Sequence, residues 1–95
     1  MVLLDVLGRR WSLRVLWELR GQPLTFRALR ERCDGVSPSV LNARLAELRE
    51  LAVVEVGDDG YALSNQGRAL GELLVPLDTW ARRWAKGVPR GPASA

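Results

Sequence analysis

Ninety-five residues, 47% of them apolar and with a net charge of +3, allow one compact domain with a modest core and leave no room for a second. A single cysteine, Cys33, and no histidine exclude an internal disulfide and a cysteine metal cluster, and remove the usual general base, so no catalytic residue, metal or cofactor is expected. No apolar run approaches the roughly 18 residues of a membrane span, and Val2–Leu7 is too short and lacks the basic start of a signal peptide, which predicts a cytoplasmic protein without membrane contact.

VLLDVL at 2–7, closed by Gly8, would expose Leu3, Leu4 and Leu7 at the N-terminus unless it packs on something. WSLRVLWEL at 11–19 is apolar around most of a helical circumference, with Arg14 and Glu18 as one polar strip. Such a helix belongs at the centre or at an interface, and Gly21 and Pro23 end it. Thr25 suits the cap of the next helix, in which Phe26, Leu29 and Cys33 recur at helical spacing while Arg27, Arg30 and Glu31 face out. Cys33 reads as a small core residue, because nothing nearby resembles a resolving redox partner.

Asp34 and Gly35 then make a short turn into VSPSVLNARLAELREL at 36–51. Ser37 can cap this helix, and Pro38 suits the first helical position, where a missing N–H costs nothing. Leu41, Leu45, Leu48 and Ala52 fall within one narrow arc, which predicts a buried face. Ser39, Asn42, Ala43 and Ala46 point away from it, with Arg44 and Arg49 on the flanks. A solvated helix usually carries Glu and Lys on such a face; short side chains instead let the helix approach another surface closely. Two helices joined by so tight a turn form the helix-turn-helix pattern, and the second is expected to lie in the major groove of double-stranded DNA.

After Leu51 the period changes. Val53–Val56 favours a strand, GDDG supplies a turn, and Tyr61–Leu63 returns as a second strand, a hairpin placed like the wing of a winged helix. Ser64 caps the last helix, where Leu70, Leu73, Leu74, Leu77, Trp80, Ala81 and Trp84 form a stripe longer than a monomer of this size can bury. Pro76 is expected to kink that helix or shift its register near Glu72. GVPRGPASA at 87–95 reads as a flexible tail. The predicted fold is mostly α with a small β-hairpin (α+β): a winged helix-turn-helix domain over 1–86, with the tail at 87–95.

Charge is segregated along the chain. Residues 9–49 carry nine arginines against four acids, whereas residues 50–81 carry one arginine against six. A basic first half that contains the small-faced helix suits a polyanionic partner. A composition of 13 Arg and one Lys accounts for the count but not for its distribution.

LGRRW at 7–11, FRALRERCDGVSPSVLNARLAEL at 26–48, YALSNQGRAL at 61–70 and Trp80, in this order and spacing, resemble the HxlR-type winged-helix transcriptional regulators, relatives of the MarR group. The likeness runs from about Asp5 to Trp84. It implies a sequence-specific DNA-binding regulator acting as a homodimer, with the first and last helices as dimerisation helices and Leu3, Leu4, Leu7, Leu73, Leu77, Trp80 and Trp84 at the interface. It further implies that Ser39, Asn42 and Ala43 touch base edges, that Ser37 and Pro38 hold a phosphate at the helix start, and that Arg27, Arg44 and Arg49 grip the backbone. Asn is the bidentate partner of adenine, and alanine can pack on a thymine methyl.

Plainer roles stay open: Ser37 as a cap only, Arg44 laid along its helix against a turn, Arg49 solvated, Trp80 and Trp84 as packing. The chain departs from the family pattern at three places. Its hairpin loop is short, and Asp58 and Asp59 would repel phosphates. Ala52 stands where the family usually has Gly; a left-handed conformation there costs roughly 1–2 kcal/mol, so the helix is expected to end differently. An N-terminal cysteine found in family members has no counterpart, and no small-molecule effector is assigned. The alternative reading is a winged-helix interaction module whose basic face meets an acidic protein.

Overall fold

Three hydroxyls start three helices. Thr25 Oγ1 accepts a hydrogen bond from Ala28 N (3.1 Å), Ser37 Oγ from Val40 N (3.3 Å) and Ser64 Oγ from Gly67 N (3.0 Å), each satisfying an amide that the first turn leaves without a partner. In the computed structural model, which describes residues 1–88, these caps open α3 (Phe26–Arg32), α4 (Pro38–Glu50) and α5 (Asn65–Gly87). Two short helices, α1 (Val2–Leu7) and α2 (Ser12–Glu18), precede them, and the hairpin β1 (Val54–Gly57) and β2 (Gly60–Leu63) separates α4 from α5. The expected elements are all present, in the expected order. The helix of 65–87 runs through Pro76 as one element and takes in Gly87, the first residue of the expected tail, whose part beyond Val88 lies outside the described residues.

One core joins them. Val15, Leu16 and Leu19 of the α2 segment meet Leu29 and Cys33 of the α3 segment, Leu41, Leu45 and Leu48 of α4, Val53, Val54 and Leu63 at the hairpin, and Leu74 of α5. α2 is thus central, one of the two places its near-continuous apolar circumference allowed.

Ala52 corrects two expectations. It is exposed and lies past the end of α4 rather than on its buried arc. Its φ is +60°, so the left-handed conformation is adopted despite the side chain. Val53 N donates to Leu48 O (3.1 Å) and Ala52 N to Arg49 O (2.9 Å), the paired bonds of a Schellman stop. The burial of Val53 directly after it fixes the chain direction and outweighs the local strain. Ala52→Gly is therefore expected to stabilise the fold by about 1 kcal/mol, the relieved strain less the greater chain entropy of glycine. A chemical-denaturation series that finds no gain would place the strain elsewhere.

The hairpin pairs Val54 with Leu63 and Gly57 with Gly60 across a two-residue loop of Asp58 and Asp59. A third extended segment joins it, unforeseen in the sequence: Leu24 N donates to Tyr61 O (2.9 Å) and Tyr61 N to Leu24 O (2.8 Å). Gly60 permits this approach. Its φ is +111°, and a Cβ there would stand 2.5 Å from Leu24 O.

Candidate nucleic-acid interface

The turn between α3 and α4 sets how α4 is presented. α3 ends in a second Schellman pair, Asp34 N to Glu31 O (3.1 Å) and Gly35 N to Arg30 O (3.0 Å), with Asp34 and Gly35 both at positive φ. Asp is among the few residues with a side chain that visit this region readily, and Gly does so without steric cost. Two arginines brace the turn. Arg30 Nε donates to Val36 O at 2.7 Å. Arg14 reaches from α2 to donate to Arg32 O at 2.6 Å while pairing with Glu18 at 2.8 Å and Asp34 at 3.3 Å. Its hydrogen bond to Glu18 is the main cause holding the Arg14 guanidinium above its ordinary pKa. The helical period places Arg14 and Glu18 on one strip, but nothing in the sequence signals their reach to the turn.

On α4 itself, Leu41, Leu45 and Leu48 are buried and Ser37, Pro38, Ser39, Asn42, Ala46 and Arg49 are exposed, with Ala43 half-buried. The small polar face therefore lies in solvent, opposite the core face. Ser39 Oγ is 3.5 Å from the capping Ser37 Oγ. Arg27 projects freely from α3: its side chain is 90% exposed, with only a loose contact to Glu31 at 3.4 Å. Arg44 differs. Its side chain is 17% exposed, lies 2.9 Å from Glu47 and donates to Arg10 O at 3.4 Å, so it ties α4 to the turn before α2. Its Nε approaches Glu47 closely without pointing along the contact. Arg49 borders a groove with Ala46, Glu50, Val54, Glu55 and Val56, between α4 and the hairpin.

The apolar stripe of α5 is uncovered. Leu73, Leu77, Trp80 and Trp84 are each at least half exposed, Trp80 and Trp84 stack at 6.0 Å, and Leu4 is exposed on α1 while Leu3 and Leu7 are half-buried.

The model of the family described as HxlR-like helix-turn-helix matches residues 6–88. The chain belongs to this family. Among similar proteins, the HTH-type transcriptional regulator YvaP of Bacillus subtilis is 28% identical over 87 residues, covering 84% of this chain and 81% of its own length. The quinone-bound structure of YodB from B. subtilis superposes with a TM-score of 0.78 at 28% identity, over 85% of this chain and 92% of YodB. HlyU from Vibrio cholerae follows at 0.68 and 31% identity, over 80% and 87% of the two chains. As a member of the HxlR-like family, the protein is a DNA-binding transcriptional regulator with a helix-turn-helix domain, and no helix among the described residues is long and apolar enough to cross a membrane.

The HxlR-like fold places Cys33 at the end of α3 with no exposed surface. Burial raises its thiol pKa above the ordinary value, as fits a residue packed into the core.

Proposed function

We propose that this regulator binds double-stranded DNA as a homodimer, with α4 of each protomer in a major groove and no catalytic activity, in the cytoplasm. The exposed small face of α4, capped by Ser37 and set by the braced α3–α4 turn, carries this reading. Ser39, Asn42 and Ala43 read base edges, and the α4 start at Ser37 and Pro38 meets a phosphate with its free amides. Arg27 and Arg49 grip the backbone. Arg44 contributes chiefly by holding α4 against the turn that ends in Trp11, with its charge close to the groove wall.

The uncovered stripe supports the dimer. Leu4, Leu73, Leu77, Trp80 and Trp84 leave large apolar side chains in water, the kind of surface that marks an interaction site. Burying it against a second copy would bring two reader helices into one assembly.

Selection of duplexes from a random pool at moderate salt tests the whole reading. The expected product is a two-fold symmetric motif with half-sites about 10 base pairs apart, or a multiple of that. An unsymmetrical single site would remove the dimer, and no enrichment over bulk competitor would remove sequence-specific reading.

A further inference from the structure

A major groove about 12 Å wide is nearly filled by a helix of about 10–12 Å, so both flanks of a reader helix face a wall of phosphates. The two flanks of α4 are built differently. On one lie Arg49 and the groove shared with the hairpin, which Glu50 and Glu55 also line, and the hairpin's loop adds Asp58 and Asp59. On that flank the acids oppose Arg49, so its grip on a phosphate wall is weak.

The opposite flank carries Arg44 and Glu47, one turn apart on α4, and against them stands the turn from Gly8 to Trp11. Arg9 Nη1 lies 3.1 Å from Glu47, and Arg44 donates to Arg10 O. The turn's backbone is pinned by Arg9 N to Val6 O (3.1 Å) and Ser12 N to Arg9 O (3.2 Å). It holds Trp11 at a φ of +80°, a conformation a bulky side chain adopts only where its surroundings impose it. Two guanidiniums, Arg9 and Arg44, thus share one carboxylate. Arg9 and Arg10 are both exposed; the Arg10 guanidinium rests 5.6 Å from the Trp11 ring and has no ion pair among the described residues.

We propose that the Arg9–Arg10 turn is a phosphate clamp beside the reader helix, taking the place that the acidic hairpin leaves unfilled. Glu47 is its resting partner: it holds Arg9 alongside α4 in the free protein and gives it up to the DNA backbone on binding. The clamp rests on the proposed seating of α4 in the major groove, and it makes the grip asymmetric, strong on the α2 side and weak on the hairpin side.

The test measures binding of the selected duplex and of unrelated duplex against salt concentration for the wild type, R9A/R10A, E47Q and N42A. R9A/R10A should weaken both duplexes by the same factor and flatten the logarithmic salt slope by nearly two units per protomer, since each lost phosphate contact removes about 0.9. E47Q frees Arg9 and Arg44 and should leave binding unchanged or tighter for both duplexes. If Arg9 served only to tie the turn to α4, E47Q would weaken binding as R9A/R10A does, and that result overturns the clamp. An unchanged slope in R9A/R10A overturns it too. In either case, loss of preference in N42A would leave the α4 reading standing, whereas no change in N42A would remove that reading itself.

Discussion

Gly67→Ala is expected to destabilise the protein by about 3 kcal/mol, although alanine is the better helix former by about 1 kcal/mol. Gly67 sits in the first turn of α5 beneath the Val53 carbonyl; a Cβ there would overlap that oxygen and come within 3.2 Å of Leu63 Cβ. Neither obstacle is a flexible chain end. Val53 O accepts from Ser64 N at 3.1 Å, and Ser64 Oγ donates to Ala52 O at 2.6 Å while accepting from Gly67 N. The start of α5 is therefore stitched to the exit of α4 through one serine, and moving it away from the new methyl group breaks the cap and the stitch together. For a domain of this size such a loss lowers the melting midpoint by roughly 12–24 °C. Gly71→Ala, one turn later, is the matched control. There a Cβ would meet only Leu63 Cδ1 at 3.3 Å and the Arg20 side chain at 3.4 Å, which can give way, so the propensity gain should leave the midpoint level or slightly raised. Melts at one fixed protein concentration separate the cases. Two equal midpoints would show that the α4–α5 junction yields.

The order of elements was legible because local chemistry and periodicity agreed. Thr25, Ser37 and Ser64 stood as caps before apolar runs, and each accepts the expected amide. Leu41, Leu45 and Leu48 at three- and four-residue spacing are buried as a set. What escaped the sequence depends on partners distant along the chain. The link between Leu24 and Tyr61 joins segments 37 positions apart, and no pattern within either segment signals it. Ala52 departs from its expected burial because the helical arc presumes a continuing helix, whereas tertiary packing of Val53 imposes the stop. On the surface, the exposure of Ser39, Asn42 and Arg27 followed from the helical period alone. The fold-back of Arg44 toward Arg10 did not, because it requires the α1–α2 turn to lie beside α4, and only the folded chain brings positions 10 and 44 together.

Asn42→Ala and Arg27→Ala should fail in different ways, and the difference separates reading from gripping. Asn42 is exposed on α4, with no protein hydrogen bond among the described residues competing for its amide. Against an adenine edge that amide donates and accepts at once, and its removal should weaken the selected site by about 1–3 kcal/mol per half-site, roughly 5- to 150-fold, while relaxing preference at one base pair. Binding to unrelated duplex should hardly change, because nonspecific affinity comes from phosphate neutralisation. Arg27, at 90% side-chain exposure and only loosely paired with Glu31, presents a mobile charge without a fixed direction. Its loss should weaken every sequence by the same factor and flatten the salt slope by about one unit per protomer. Neither side chain touches the core, so both variants should melt with the wild type. That equality keeps a binding change attributable to the interface. Titrations of matched and unrelated duplexes at several salt concentrations decide it: if both substitutions erode all sequences alike, Asn42 lies on a phosphate rather than a base, and α4 enters the groove rotated from the orientation proposed here.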